Sequence, residues 1–256
     1  MGLPVVTVSA GGLPVVQSTT GGTPVTEAAN KFGIAVTKVA ALGLPVVFVT
    51  ESGVVVPSVT YATWDTATAV TLSGGNLVAT NTGTTAAEQG AKSATGKTSG
   101  KYYFEMSFTA FTGATTRIMA GVGTPASTYA GMSSTGTSGA IGGVGGVVHA
   151  NGAGTVFDFV PAGSLPVGGV MGVAVDLDNR KCWFREVPSG LWLGQAIGLQ
   201  DPAINLGGAV VPAGTMVPLC TFGGTAGVAG NITTANFGAS VFVGAVPAGF
   251  TSGWPA

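Results

Sequence analysis

The sequence predicts an all-β protein, and three observations support this fold class. Gly contributes 44 and Pro 14 of the 256 residues, and these turn-forming residues divide the chain into short segments. The segments between them are rich in Val, Thr and Phe, which are enriched in β-strands. No stretch shows helical periodicity with capping residues. Many short strands with frequent turns are typical of an antiparallel sandwich or barrel.

The first element is a phrase that recurs four times near the start of the chain: GLPVV at residues 2–6, 12–16 and 43–47, and GTPV at 22–25. Each copy combines a Gly-x-Pro turn with β-branched valines, which predicts a bend followed by a short strand. A unit this small cannot bury a core alone, so it must pack against copies of itself or against another protein. We therefore predict an extended anchoring and oligomerisation arm over residues 1–56. Its contacts are assigned to the apolar residues Leu3, Val5, Leu13, Val15, Val25, Leu44 and Val46.

Residues 57–256 form the second predicted domain, in which strand-forming segments alternate with Gly- and Pro-rich turns. The hairpin over 170–186 is clearest, because alternate apolar residues Val173, Val175 and Leu177 predict one buried face and Asp178-Asn179 predicts a tight turn. Its return strand places Trp183 and Phe184 on opposite faces. The strand candidates are Leu77–Ala79, Lys101–Phe111, Thr115–Val122, Val147–Ala150, Val156–Val160, Val170–Leu177, Lys181–Glu186, Val217–Phe222 and Asn231–Phe237.

Composition argues against several functional classes. Charged residues make up only 7% of the chain, the net charge is −1, and the one tight basic group is Arg180, Lys181 and Arg185. Nucleic-acid binding normally requires a concentrated basic surface, so we expect no nucleic-acid partner. A surface with so few charges tends to associate. We therefore expect a subunit of an assembly, and a homo-oligomer, with a trimer favoured for the repeat arm.

Neither export nor membrane insertion is expected. The N-terminus has no basic segment followed by a continuous apolar run, so it does not resemble a signal peptide. The most apolar window, Leu165–Leu177, spans 13 residues and contains three glycines, whereas a bilayer-spanning helix needs about 20 residues. Cys182 and Cys220 show no metal-binding spacing, and we favour two buried thiols over a disulfide.

The sequence offers no convincing catalytic, metal or cofactor site. His149 is the only histidine, and no GxSxG motif accompanies it. Asp176 and Asp178 share one face at the end of a strand, where Ca²⁺ binding is one interpretation and a turn paired with Arg180 or Lys181 is the favoured one. Glu105 lies within a strand and is interpreted as a structural hydrogen-bond partner. We therefore expect no enzyme activity, no metal and no cofactor.

Aromatic residues in predicted loops are the remaining ligand-binding candidates. Tyr129 lies in the loop Thr124–Ala140, and Trp192 lies in the loop Pro188–Val217. Both loops are rich in small polar residues and almost uncharged, which suits a neutral glycan, although core packing is the commoner role of any single aromatic. We expect Tyr129 and Trp192 to contribute to a site at one end of the sandwich. Trp64 and Trp254 are weaker candidates of the same kind.

Several separated motifs resemble the SPRY domain, a concanavalin-like antiparallel β-sandwich. The resemblance extends over residues 60–256, with EVPSG at 186–190 where that family has Asn-Gly. It implies a binding domain with that fold. The motifs that carry it occur in the family's order: GKYYFEM at 100–106, AGVG at 120–123, GGVMGVAVDLDNRKCWF at 168–184, TANFG at 234–238 and PAGF at 247–250.

The arm phrase over 21–47 resembles segments of tailed-phage structural proteins. This resemblance implies a virion structural protein, such as a head fibre, decoration or tail-associated protein, assembled in the host cytoplasm. Its expected partners are other virion subunits of capsid, neck or tail, together with a host-surface glycan. Two alternatives remain open. A concanavalin-like carbohydrate-active enzyme requires paired acids in a cleft, and an intracellular SPRY adaptor should be a monomer with an unattached arm.

Overall fold

The structure is a computed structural model that describes residues 18–20, 23–25, 37–41, 44–48, 59–83, 89–110, 117–143, 147–152, 155–158, 165–187, 190–192, 199–223 and 229–256. The chain divides into two compact units, Met1–Ser58 and Val59–Ala256.

The first unit contains two antiparallel hairpins. One pairs β1 (Ser18–Thr20) with β2 (Thr23–Val25), and the other pairs β3 (Thr37–Ala41) with β4 (Leu44–Phe48). Two copies of the Gly-x-Pro-Val phrase therefore enter strands, as the β-branched valines predict. Leu3, Val5, Leu13 and Val15 lie outside the described residues, and Val25, Leu44 and Val46 are described by their backbone alone. The contacts assigned to these residues stay a prediction.

The described residues of the second unit form mainly short strands, together with one α-helix and one 3₁₀-helix. In chain order, the described elements are β5 (Thr66–Thr68), β6 (Val70–Ser73), β7 (Val78–Asn81), β8 (Gly90–Lys92), β9 (Lys101–Ala110), β10 (Arg117–Gly123), α1 (Tyr129–Thr135), β11 (Gly139–Gly143), β12 (Val147–Ala150), β13 (Thr155–Asp158), β14 (Val170–Asp176), β15 (Lys181–Glu186), the 3₁₀-helix Pro202–Ile204, β16 (Ala209–Val210), β17 (Val217–Gly223), β18 (Ile232–Asn236) and β19 (Thr251–Ser252).

These strands form two sheets, and within each sheet neighbouring strands run antiparallel, apart from β19. Sheet A has the order β13-β12-β11-β10-β17-β8-β5, and sheet B has the order β16-β15-β14-β9-β18-β7-β6. The short strand β19 joins β9 of sheet B in parallel. The antiparallel sandwich predicted from the sequence is confirmed.

Strand alternation places the core between the sheets. Along β9, Phe104, Met106 and Phe108 belong to the main hydrophobic core, whereas Tyr103 and Glu105 lie on the other face. Sheet A contributes alternate apolar residues of β10 and β17 to the same core. Burying each large side chain contributes about 1.5–3 kcal/mol, so this inner layer is the main source of stability.

The outer face of sheet A is covered by α1. Met132 of this helix packs with Met119, Ile141 and Leu219 in a second buried cluster. Thr128 caps the helix start by accepting a hydrogen bond from the Gly131 amide at 3.2 Å, and the helix ends at Gly136 in the left-handed conformation. The expectation that the chain lacks helices, and that 124–140 is a loop, is wrong here. Seven residues are too few to give a periodic signal.

Each predicted strand lies within a few residues of an observed one, but six strands among the described residues were not predicted: β5, β6, β8, β11, β16 and β19. The turn after β14 also differs. Asp176 pairs with Lys181, so four residues, Leu177 to Arg180, form the turn instead of Asp178-Asn179 alone. Arg180 takes the left-handed conformation with φ 55°. Cys182 and Cys220 are buried free thiols on different sheets, and burial raises the pKa of both.

The ends of the second unit meet. The Ala256 amide donates to the Thr60 carbonyl at 2.7 Å, and Tyr61 pairs with Pro255. Trp254 is fully buried, and its indole N–H donates to the Thr95 carbonyl at 2.9 Å. The last residues of the chain are therefore part of the sandwich.

Candidate functional site

A surface cavity of about 340 Å³ opens beside the edge of sheet A. Its volume lies at the lower end of the range typical of small-molecule and side-chain binding sites. The lining combines hydroxyl groups, one aromatic ring and one ammonium group. The residues are Thr66, Thr68, Lys92, Ser93, Ala94, Pro125, Tyr129 and Val217. This feature includes a sequence-predicted ligand residue, and we call it the Tyr129 cavity.

Local structure explains why Tyr129 lies over sheet A. It is the first residue of α1, directly after the capping residue Thr128. Its ring occupies the space above β8 where Gly90 has no side chain, since a Cβ there would approach the ring to 2.6 Å. The Tyr129 hydroxyl donates to the Thr66 carbonyl of β5 at 3.4 Å. Burial raises the pKa of Tyr129 to about 12, so the phenol is neutral at physiological pH.

Lys92 is the cation of the Tyr129 cavity. Its ammonium nitrogen donates to the carbonyl oxygens of Pro125 at 2.9 Å and Ser127 at 2.8 Å, and it lies 5.4 Å from the centre of the Tyr129 ring. Burial lowers the pKa of Lys92. Within the described part of the chain the one ion pair joins Lys101 to Asp176, so no described carboxylate neutralises Lys92 within 4.0 Å. An ammonium group has three N–H donors, and the two carbonyls use two of them.

Asp65 is the acidic residue adjoining this cavity. It is exposed, and its Oδ2 accepts hydrogen bonds from the Ala94 amide at 2.6 Å and the Ser93 hydroxyl at 3.4 Å. These bonds fix the start of the segment after β8. The carboxylate therefore supports the cavity wall.

A second polar cluster lies on the outer face of sheet B. Glu105 is 3% exposed and accepts hydrogen bonds from the Tyr103 hydroxyl at 2.8 Å, the Val243 amide at 2.8 Å and the Gly244 amide at 2.7 Å. Arg185 donates to the same Tyr103 hydroxyl at 2.7 Å. The order Arg185–Tyr103–Glu105 links a buried cation to a buried carboxylate through one phenol.

A C-terminal segment, residues 238–250, covers this polar cluster. Arg185 donates to the Ala245 carbonyl at 2.6 Å, and Phe242 meets the Tyr103 ring edge-on at 5.2 Å. A Cβ at Gly244 would lie 2.6 Å from Arg185 Nη2 and 3.0 Å from the Tyr103 hydroxyl, so a larger residue there would displace the Arg185 side chain. The segment is therefore held through its backbone.

Trp192, the other sequence-predicted ligand residue, belongs to this second cluster. It is half-buried and packs beside Tyr103, Ala174 and Trp183, with the Arg185 guanidinium 4.7 Å from its ring centre. Tyr129 instead contacts β5 and β8 of sheet A. The structure thus places Tyr129 and Trp192 against different sheets, and it does not bring them together in one site.

The weaker aromatic candidates belong to the core. Trp64 and Trp254 are both fully buried, and each packs at right angles to a phenylalanine ring. Core packing, the commoner role of a single aromatic residue, holds for both, and the weaker interpretation as ligand-binding loop residues is wrong because their large apolar surface is buried. Trp183 and Phe184 do point to opposite faces, but both are buried.

The predicted acidic residues take structural positions. Asp176 accepts hydrogen bonds from the amides of Asp178 and Asn179 and from the Asn179 side chain, and it pairs with Lys101 at 2.8 Å. The cation that pairs with it is therefore Lys101, and the predicted partners Arg180 and Lys181 bind carbonyl oxygens instead. His149 is buried in β12. Among the described residues, no group of three or more His, Cys, Asp or Glu side chains is placed to hold a metal ion.

Sequence reasoning missed Lys92, Thr66 and Thr68. Lys92 follows two small residues in a three-residue strand, and nothing in the sequence distinguishes it from a solvent-exposed lysine. Thr66 and Thr68 form the edge strand β5, which is too short to give an alternating pattern. Only the pairing of β5 with β8 brings these residues to Tyr129.

Comparison with known proteins identifies the fold of the sandwich. The SPRY domain of human HERC1 matches with a TM-score of 0.50 and 16% identity, over 68% of this chain and 96% of that one. The sandwich has the SPRY fold. Two further SPRY structures resemble it less closely: the TRIM65 PSpry domain, with a TM-score of 0.42, 13% identity and coverage of 69% and 92%, and a human SPRY domain, with a TM-score of 0.46, 11% identity and coverage of 69% and 100%.

No protein-family profile and no curated protein matches the chain. Among the described residues, none of the SPRY-like unit's helices has the length and apolar character needed to cross a bilayer. At these levels of identity the structural likeness concerns the fold alone.

Proposed function

We propose that this chain is a non-catalytic structural protein of a virion, in which the SPRY-like sandwich is a binding module and the Tyr129 cavity receives its partner. The observation that carries the binding role is the cavity itself. It combines an aromatic ring, three hydroxyl side chains and an ammonium group that no described carboxylate neutralises. Groups of this kind bind ligands when a rigid scaffold holds them in place.

The positions of the buried carboxylates support a binding role over a carbohydrate-active enzyme. Glycoside hydrolysis requires two carboxyl groups facing one substrate. Glu105 and Asp176, the buried acids among the described residues, are each occupied by several hydrogen bonds from their own sheet and its covering segments. They lie on the outer face of sheet B, whereas the cavity adjoins sheet A.

The virion assignment rests on the sequence. The repeated Gly-x-Pro-Val phrase resembles segments of tailed-phage structural proteins, and the low charge of the chain suits a subunit of an assembly. The arm is proposed to anchor the chain to other virion subunits and to form a trimer. The test is mass spectrometry of purified particles, which should detect the chain at a fixed copy number. Detection only outside the particles would contradict the assignment.

Oligomeric state separates this proposal from an intracellular adaptor. Analytical ultracentrifugation of the full chain at micromolar concentration should give a trimer. A monodisperse monomer with an intact arm would favour the adaptor instead. Protease digestion adds a second readout, because residues 1–50 should become more resistant in the assembled particle than in the isolated chain.

Binding by the sandwich is tested on host cells and glycan arrays, since a host-surface glycan is the ligand expected from the sequence. Tyr129 forms one wall of the cavity and positions Lys92 and β5, so Tyr129→Ala should weaken binding of any partner in the cavity about tenfold, the effect of losing about 1.4 kcal/mol. Trp192→Ala is the matched control, because it removes a half-buried aromatic from sheet B. Binding that depends on Trp192 and not on Tyr129 would move the site to the other sheet.

A further inference from the structure

We infer that the occupant of the Tyr129 cavity is an extended acidic peptide segment that adds as a strand to β5 and places a carboxylate on Lys92. This inference rests on the proposed binding role of the cavity and specifies its ligand. Three features of the described residues carry it: the charge of Lys92, the open edge at β5, and the way β5 lines the cavity.

The first feature is the positive charge of Lys92. Lys92 is half-buried, two carbonyl oxygens fix its ammonium group, and no described carboxylate lies within 4.0 Å of it. Charged groups removed from water are normally paired, because an unpaired charge is costly to desolvate. The remaining N–H donor of Lys92 and the cavity hydroxyls all suit an acceptor that carries negative charge. A carboxylate supplies both the charge and two acceptor oxygens.

The second feature is the edge of sheet A at β5. Within the described residues β5 is the last strand of sheet A, and all three of its residues are exposed. It pairs with β8 on one side. The antiparallel register directs the backbone groups of Thr66 and Thr68 at β8, and the Ala69 carbonyl just after the strand accepts from the Thr82 amide. Ala67 therefore presents the outward N–H and C=O groups with which an added strand can pair, and strand addition is a common mode of peptide recognition. The residues of β5, Thr-Ala-Thr, include no proline or charge that would oppose such pairing.

The third feature connects the edge to the charge. Thr66 and Thr68 line the cavity while Ala67, between them, does not. Alternate residues of a strand point to one face, and a neighbouring strand follows the same alternation. A peptide added to β5 therefore directs every second side chain toward the cavity. An Asp or Glu at one of these positions reaches the neighbourhood of Lys92.

The same geometry disfavours a stacked neutral sugar at Tyr129. Stacking needs an open ring face, but the Lys92 ammonium lies 5.4 Å from the ring centre and the ring lies against Gly90. The phenol hydroxyl already donates to Thr66. Tyr129 therefore contributes mainly by holding Lys92 and β5 in place.

The carboxylate has two sources, an Asp or Glu side chain or the C-terminus of the partner, and the experiment distinguishes them. The purified full chain is used to select binders from a displayed library of random nine-residue peptides. The best binder is then synthesised in four forms: unchanged, with its acid replaced by the amide, with an amidated C-terminus, and with single N-methylated backbone amides along its length. Fluorescence anisotropy gives each dissociation constant.

The inference expects an enriched acidic residue and a loss of about tenfold in affinity when that acid becomes an amide, as one charge-assisted hydrogen bond would give. If amidating the C-terminus has this effect instead, the carboxylate is terminal. Lys92→Met should produce the same loss in the protein, and Lys97→Met should change affinity less than twofold. Lys97 is the matched control because it is also half-buried beside a tyrosine ring, that of Tyr102, but lies outside the cavity.

N-methylation should abolish binding at the one peptide residue that pairs with Ala67 and be tolerated at its two neighbours, whose amides face away from β5. Equal tolerance at all positions would overturn strand addition, and indifference to both Lys92→Met and the acid-to-amide change would overturn the charge assignment. The acid-to-amide comparison uses the unaltered protein, so it stays informative if Lys92→Met fails to fold. Tyr129-dependent binding of a neutral glycan, with no acidic peptide selected, would overturn this inference and leave the proposed binding role intact.

Discussion

The outer faces of the two sheets are both covered by chain segments, but they differ in how their charges are neutralised. On sheet B, Glu105 and Arg185 are linked through Tyr103, and the C-terminal segment forms hydrogen bonds with both. On sheet A, α1 covers an apolar cluster, and Lys92 at its margin donates to two carbonyl oxygens and lies over the Tyr129 ring. Arg185 is buried and is linked to a carboxylate through the Tyr103 hydroxyl, whereas Lys92 has no such link to a described carboxylate and lines a cavity where a ligand can contact it.

This difference between the two sheets predicts different effects of substitutions on stability and on binding. Removing one member of a buried cluster of hydrogen-bonded polar groups leaves the other members without partners, which costs several kcal/mol. Removing a partly exposed cation that has only carbonyl acceptors costs much less. Substitutions on sheet B should therefore lower stability, and those at the margin of sheet A should lower binding.

Glu105→Ala is expected to have the largest effect. It leaves two backbone amides and the Tyr103 hydroxyl without their acceptor beside a buried Arg185, so the free energy of unfolding should fall by about 3–5 kcal/mol. Urea denaturation measures this change. Glu105→Gln, which retains an acceptor oxygen, should lose less. A loss below about 1 kcal/mol in the alanine variant would mean that the polar cluster is not a stability element.

Met132→Ala tests the cover of sheet A. Met132 is fully buried against Met119, Ile141 and Leu219, so its truncation should leave a cavity and lower the free energy of unfolding by about 2–4 kcal/mol. Differential scanning calorimetry measures the change. A near-neutral result would show that α1 contributes little to the sandwich and that the two outer faces differ more than we propose.

Gly244→Ala tests whether the C-terminal segment is held through its backbone. The new methyl group meets Arg185 and the Tyr103 hydroxyl, so the loss should be about 1–3 kcal/mol, as for other overpacked sites. Urea denaturation is again the measurement. Val241→Ala is the control in the same segment, because Val241 is 94% exposed, and its effect should stay within about 0.5 kcal/mol.

Asp176→Asn should change the pH dependence of stability. Burial tends to raise the pKa of Asp176, but hydrogen bonds from Asn179 and the Lys101 ammonium outweigh it and hold the pKa below its usual value. A lowered folded-state pKa stabilises the fold above the unfolded value of about 4, and this contribution is lost as the pH falls through the folded-state pKa. The variant should therefore lose about 1–2 kcal/mol at pH 7 and much less near pH 2. A pH-independent difference would contradict this.

Lys92→Met should have the smallest effect on stability. The ammonium is partly exposed and its acceptors are neutral carbonyls, so the free energy of unfolding should change by about 1 kcal/mol or less. Ligand affinity should fall about tenfold, because the charge-assisted contact is lost. A loss of stability as large as that of Glu105→Ala would show that Lys92 mainly stabilises the fold. The proposed difference between the outer faces of the two sheets would then be wrong.

The fold could be predicted from the sequence because alternating apolar residues in strands and turn-forming residues are local signals. The segments 101–111, 170–177 and 181–186 show both, and the structure places β9, β14 and β15 there with small shifts. The helix α1 was missed because a seven-residue helix stabilised by Thr128, Gly136 and one buried methionine leaves almost no periodic signal.

The candidate site could be predicted from the sequence only in part. Tyr129 could be identified as an aromatic residue in a polar segment, but Lys92, Thr66 and Thr68 reach it only through the pairing of β5 with β8. Trp192 has the same sequence character as Tyr129 and lies against the other sheet. Which of the two aromatic residues lines a cavity depends on contacts between segments that are distant in sequence, and no local sequence pattern predicts these contacts.

The meeting of Thr60 and Tyr61 with Pro255 and Ala256 has a topological consequence. Residues 60–61 and 255–256 lie side by side, so this unit could be inserted as a whole into a loop of another protein. Grafting the unit into a surface loop would hold the loop's ends close together, so the entropy lost on closing that loop would be small. The same proximity makes the unit a natural subject for circular permutation, in which the old termini are joined by a short linker and new ones are opened elsewhere.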